Sequence, residues 1–230
     1  MVKRRDTMSF GLHHKVHRHE LFADWILQTY GPQKAILDVA GGNGELARAL
    51  LKRGVVSNTV VLLDPQPRLY VRGGGDPQHD NDNHHEQQQQ QEIDAKIVIV
   101  ARPLLGDGGD LLDCPRVGPL IRQCTLMVGM HPDQATEAMI DLSQRVQPIL
   151  PFALLPCCVM PSLFPTRRLV ATASKGGRGD PVRSYRTFCE YLRHKAVPPY
   201  PEAHLPFDGR NKVIYSLSVA AETTKNVINV

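Results

Sequence analysis

The chain has 230 residues, 42% hydrophobic and 22% charged, enough apolar material to bury one sizeable core, which excludes a disordered or fibrous protein and leads us to expect a single domain over residues 1–230. Net charge is a modest +4, the five cysteines are odd in number and lack any Cys-x-x-Cys pair, so neither a disulfide framework nor a structural zinc is expected, and no metal with them. No apolar run reaches the ~18 residues of a membrane span, and Met1 to Asp6 has no signal-like apolar segment, so an intracellular protein of a reducing compartment, without membrane contact, is expected.

His13, His14, His17 and His19 crowd the approach to the first helix. With no cysteine or carboxylate partner at finger spacing, they read as solvated or phosphate-contacting groups. His19 and Glu20 are instead candidates for an N-terminal lid. Leu21, Phe22, Trp25, Ile26 and Tyr30 then recur at helical spacing. Residues 35–39 read as a buried strand opening into a glycine-rich turn, and Glu45 to Lys52 as a helix ended near Gly54. Residues 59–64 form a second predicted strand. From Gly73 to Glu92 there is no aliphatic or aromatic residue, and this stretch is expected to be a disordered insertion without chemistry. Strands follow at residues 96–100, 126–130 and 152–155, with a helix from about Gln134 to Gln147 before the last and another over about Ser184 to Lys195. Ala203 to Phe207 and Lys212 to Val219 flank Asp208-Gly209-Arg210-Asn211 as a closing antiparallel hairpin, its turn formed by Arg210 and Asn211. Strands alternating with helices predict an α/β protein with a mostly parallel sheet and helices on both faces.

In such a sheet ligands sit at the carboxyl edge of the strands, where the first strand ends in Asp38-Val39-Ala40-Gly41-Gly42-Asn43-Gly44. Glycines let a ligand approach the backbone, and the amides opening the next helix face it. Asp64, 20 residues beyond Gly44 and followed by Pro65, lies where a carboxylate accepts both hydroxyls of an adenosine ribose. The turn is not Gly-x-Gly-x-x-Gly: Ala47 stands three residues after Gly44, and Glu45 would repel a pyrophosphate at the helix start. Asp38 suits a ligand with a positively charged amino group. These residues resemble the first motif of class I S-adenosylmethionine-dependent methyltransferases, with Ala40 where a glycine is usual. The resemblance implies a Rossmann-like fold, S-adenosylmethionine as cofactor, and a cofactor site of Asp38, Ala40, Gly41, Gly42, Gly44, Asp64 and Pro65.

Val128 to Glu137, with His131-Pro132-Asp133 at its centre, and Phe152 to Cys158, ending in Cys157-Cys158, are similar to a subgroup that includes tRNA acceptor-stem 2′-O-methyltransferases. The chain departs from that subgroup in having Pro132-Asp133 after the histidine and Val159 after the cysteine pair. His131 and Asp133 are the candidate catalytic residues, His131 as a base or an orienting group near neutral pH. The other reading of His131, a ring hydrogen-bonded to its own turn, stays open. Cys157 and Cys158 are either core thiols or pocket residues, and strand alternation predicts that only one of them faces the site. Between Thr166 and Lys195 eight Lys/Arg stand against Asp180 and Glu190, and this stretch, with Arg183 and Arg186, is the candidate RNA contact. The expected function is methyl transfer to an O or N nucleophile, RNA favoured as acceptor. An inactive methyltransferase-like RNA-binding or assembly factor is the alternative, and an NAD-dependent oxidoreductase ranks last.

Overall fold

The computed structural model describes residues 17–69, 84–170 and 179–217, so His13, His14, the first half of the glutamine-rich insertion and the end of the last predicted strand lie outside the described residues. Seven strands, β1 (Gln33–Val39), β2 (Val56–Leu63), β3 (Ile97–Val100), β4 (Leu126–Met130), β5 (Phe152–Leu155), β6 (Glu202–His204) and β7 (Lys212–Tyr215), form one sheet in the order β3-β2-β1-β4-β5-β7-β6. The first five run parallel to one another, and β7 runs antiparallel to β5 and β6. The helices are α1 (Arg18–Tyr30), α2 (Glu45–Lys52), α3 (His84–Asp94), α4 (Gly109–Leu112), α5 (Gly118–Gln123), α6 (Ala135–Arg145) and α7 (Tyr185–Arg193). This is the mostly parallel α/β sheet with helices on both faces that the alternation of elements implied, closed by the expected antiparallel pair, and it fits the Rossmann-like fold that the resemblance implied.

Central strands are apolar at successive positions because both faces of the sheet are covered. Ile36, Val60 and Leu126 point to one side and join a core with Phe22 and Ile26 of α1 and Leu50 of α2. Their neighbours Leu37, Val61 and Met127 join the opposite core with Met139 of α6 and Phe188 and Leu192 of α7. The Tyr30 hydroxyl, within 2.8 Å of Phe152 O and 3.0 Å of Ser216 O, donates to this carbonyl pair and fastens the end of α1 to the β5–β7 edge.

Three local readings change. Residues 84–92, expected to be disordered, belong to α3, since Gln and Glu are good helix formers and the far end of the helix is anchored. Arg48 Nε and Nη2 donate to the two oxygens of Asp94 at 2.8 and 3.2 Å, and Gln90 Nε2 caps the same carboxylate at 3.0 Å. Between β3 and β4 the chain inserts α4 and α5, which are too short to leave a periodic signal; Gly118 allows their close approach, because a Cβ there would stand 2.1 Å from Leu112 O. The hairpin strands are also shorter than expected. Asn211 Nδ2 donates to Leu205 O and Phe207 O, both at 2.8 Å, and draws residues 205–211 into a broad loop with Leu205 and Phe207 buried.

Candidate active site

The turn after β1 is built around a buried carboxyl. Asp38 is 1% exposed, and neither of its oxygens has a hydrogen-bond partner. Burial, then the neighbouring charge of Asp64, push its pKa up from 3.8 to about 8; the Ala47 amide opposes this but lies outside hydrogen-bonding geometry. Asp38 therefore carries a proton at neutral pH. Gly41 lies against it, with no room for a side chain: a Cβ would meet Asp38 Oδ2 and Leu62 Cγ, each at 2.8 Å. Gly42, at φ +55, opens outward with no atom within 4 Å of its Cβ direction, and Gly44, at φ +76, caps α2. Ala40 adopts φ 56 as a non-glycine residue, and its N–H donates to Leu63 O at 2.7 Å.

Asp64, immediately after β2, faces this turn. Its carboxylate accepts the Gly42 N–H at 3.0 Å and the Gln66 N–H at 2.7 Å, which leaves lone pairs on both oxygens for further donors. Pro65 is exposed beside it. The predicted cofactor residues thus converge at the carboxyl ends of β1 and β2.

His131 and Asp133 follow β4 in a turn where both adopt left-handed backbone, φ 58 and 45. The His131 N–H donates to Leu155 O at 3.1 Å. Its Nε2 lies 3.0 Å from Arg210 O. A carbonyl only accepts, so Nε2 is the donor in this contact, and Nδ1 is the ring nitrogen that it leaves free. The ring is thus held by the β6–β7 loop, not by its own turn. His19, at the start of α1, reaches Glu45 Oε2 with Nδ1 at 3.0 Å. Burial lowers its pKa despite the pull of Glu45, and Arg18 and His131 add repulsion in the same direction. Glu20, the other candidate lid residue, turns away to Arg53 and His17, each at 3.1 Å.

The cysteine pair departs from expectation. Strand alternation predicted that one sulfur would face away, but β5 ends at Leu155, and both cysteines lie beyond it where the rule no longer holds. Both sulfurs and an Asp133 oxygen lie within 4.8 Å of one another, and Cys157 Sγ donates to Asp133 Oδ1 at 3.0 Å. Burial, then Asp133, push the Cys157 thiol up; for Cys158 the Asp133 hydrogen bond comes first. Arg210, expected only to form a turn, donates from Nη1 to Cys157 O at 2.8 Å and lies 4.0 Å over the Tyr185 ring. One arginine in a loop leaves no pattern in sequence, so its role emerges only from the fold.

Part of the basic stretch is spent internally. Arg167 pairs with Glu137 at 2.7 Å, Lys195 with Glu137 and Asp141 at 2.8 Å each, and Arg193 with Glu202 at 3.3 Å. Arg183 and Arg186 are exposed on either side of Tyr185.

No protein-family model matches the chain, and no curated protein matches it. Solved structures similar to it include an O-methyltransferase family protein from Burkholderia thailandensis, at 14% identity, covering 87% of this chain and 56% of that one, with a TM-score of 0.47. Our chain thus spans little more than half the length of that protein. A putative S-adenosyl-L-methionine-dependent methyltransferase from Methanococcus maripaludis is 12% identical, covering 90% of this chain and 92% of that one, with a TM-score of 0.47. The N-methyltransferase NodS from Bradyrhizobium japonicum is 12% identical over 89% of this chain and 94% of its own, with a TM-score of 0.45.

Proposed function

We propose that this chain is an S-adenosylmethionine-dependent methyltransferase acting on an O or N nucleophile, with RNA as acceptor. The observation that carries the reading is Asp38, a buried carboxyl without a partner, set against a glycine that admits no side chain. A cationic group brought up to that carboxyl would drive off its proton; Asp64, which already receives the Gly42 N–H, would hold the ribose hydroxyls with its remaining lone pairs. Glu45, held by His19 at the start of α2, sets a carboxylate where a pyrophosphate would otherwise be received. When bound, the cofactor supplies a methyl group already activated on a sulfonium, so the protein contributes chiefly position. His131 takes the acceptor's proton at Nδ1, and Asp133, exposed in the same turn, orients the acceptor. The likeness of the His131 turn and the Cys157-Cys158 pair to tRNA acceptor-stem 2′-O-methyltransferases supports RNA, as do the exposed Arg183 and Arg186.

Titration calorimetry with S-adenosylmethionine, S-adenosylhomocysteine and NAD tests the cofactor. We expect the first two to bind and NAD not to, and Asp64→Ala to weaken S-adenosylhomocysteine by roughly 1.5–3 kcal/mol. Binding of NAD alone would replace this reading with the oxidoreductase.

A further inference from the structure

We propose that Asp133, Cys157 and Cys158 form a binding site for a thiophilic divalent cation, zinc, on the acceptor side of the sheet edge. The inference rests on the β4 and β5 ends alone and is independent of the cofactor reading. Two sulfurs and one carboxylate oxygen from two separate turns lie within 4.8 Å of one another. Tetrahedral zinc, with bonds of about 2.3 Å to sulfur and about 2.0–2.2 Å to oxygen, holds such atoms roughly 3.5–3.8 Å apart. The Cys157 to Asp133 contact of 3.0 Å would open slightly and the longest separation close, which small side-chain rotations supply.

The donor set matches the metal. Two thiolates favour zinc over the hard cations that prefer oxygen alone, and three protein ligands leave the fourth position to water, as in open rather than purely structural zinc sites. The backbone holds the turn in place without using these side chains: the His131 N–H is bound to Leu155 O, and Asp133 O receives the Thr136 hydroxyl at 2.8 Å. Charge is accommodated as well. Both thiols pass their protons to solvent on binding, so two thiolates, one carboxylate and Zn²⁺ leave a net charge of −1. The Arg210 guanidinium, on the Cys157 carbonyl, lies beside this group and offsets it. A lone Cys-Cys dipeptide has no finger spacing, and only the convergence with Asp133 makes it a chelate.

The test uses the reduced, chelator-treated full chain titrated with zinc and with cobalt(II). We expect one equivalent of either metal and a thiolate-to-cobalt charge-transfer band, with both lost in Cys157→Ser and in Cys158→Ser and both retained in Cys114→Ser. Asp133 is exposed, so Asp133→Asn should fold normally and bind zinc at least tenfold more weakly. One equivalent persisting in both cysteine variants, a cobalt spectrum without thiolate bands, or unchanged zinc affinity in Asp133→Asn would each overturn the proposal. Because no cofactor is added, a failed methyltransferase reading leaves the result intact.

Discussion

Asp38 is an acid that the fold holds in its neutral form, and this has a pH signature. Its pKa rises from 3.8 to about 8 on folding, so the folded chain binds the proton more tightly than the unfolded one between those values. The stability it contributes is fully present below about pH 4 and is lost as pH rises through about 8. Asp38→Asn should flatten the fall in urea midpoint across that window, and an unchanged slope would place the titration elsewhere. Calorimetry in buffers of different ionisation enthalpy should also show a proton released when S-adenosylmethionine binds the wild type near neutrality, absent in Asp38→Asn. Ala40 stores strain beside it. A left-handed non-glycine residue costs ~1–2 kcal/mol, while glycine adds ~0.4–1 kcal/mol of unfolded-chain entropy. Ala40→Gly is therefore expected to stabilise by up to about 1.5 kcal/mol in denaturant unfolding.

The element that changes most from the sequence reading is α3. Its residues have almost nothing apolar to bury, and what docks it is the two-pronged bond from Arg48 of α2 to Asp94, with both side chains less than one-fifth exposed. A partly buried charge-assisted pair of this kind is worth more than a surface ion pair. Asp94→Ala should cost about 1–2 kcal/mol, read as a lowered melting temperature. Deleting residues 73–92 removes most of the helix and should lower the melting temperature as well, whereas the composition alone predicted no effect. At the other end of the sheet, β6, β7 and their loop form one working piece, since Asn211 shapes the loop whose Arg210 holds both His131 and the Cys157 carbonyl.

Across the whole molecule the carboxyl edge of the sheet gathers groups from distant parts of the chain: Asp38 and Asp64 on one side, His131, Asp133 and the cysteine pair on the other, with His19 reaching over Glu45 between them. If the proposed chemistry holds, His131→Ala should reduce methyl transfer from radiolabelled S-adenosylmethionine by ~10²-fold or more while cofactor affinity stays within a few fold. Charge reversal at Arg183 and Arg186 should weaken RNA association and make its salt dependence shallower, as measured by filter binding at several salt concentrations. Tight cofactor binding with no label transferred to any RNA or protein fraction would leave the non-catalytic binding factor as the reading.

The strands, the glycine turn and the placing of Asp64 at the end of the second strand were legible in the sequence, because each is encoded by apolar spacing and backbone freedom within a few neighbouring residues. Tertiary structure decided the rest. Glu137 draws in Lys195 from 58 residues away and Arg167 from 30, so these two cations of the apparent basic patch are neutralised within the fold. Asp94 orders a helix that composition reads as disorder, through an arginine 46 residues earlier. The two cysteines meet Asp133 only because β4 and β5 are adjacent and parallel, which brings their following turns together. Local patterns set which segments become strands and helices; pairings between charges and sulfurs depend on how those segments are then packed, and spacing along the chain carries no record of it.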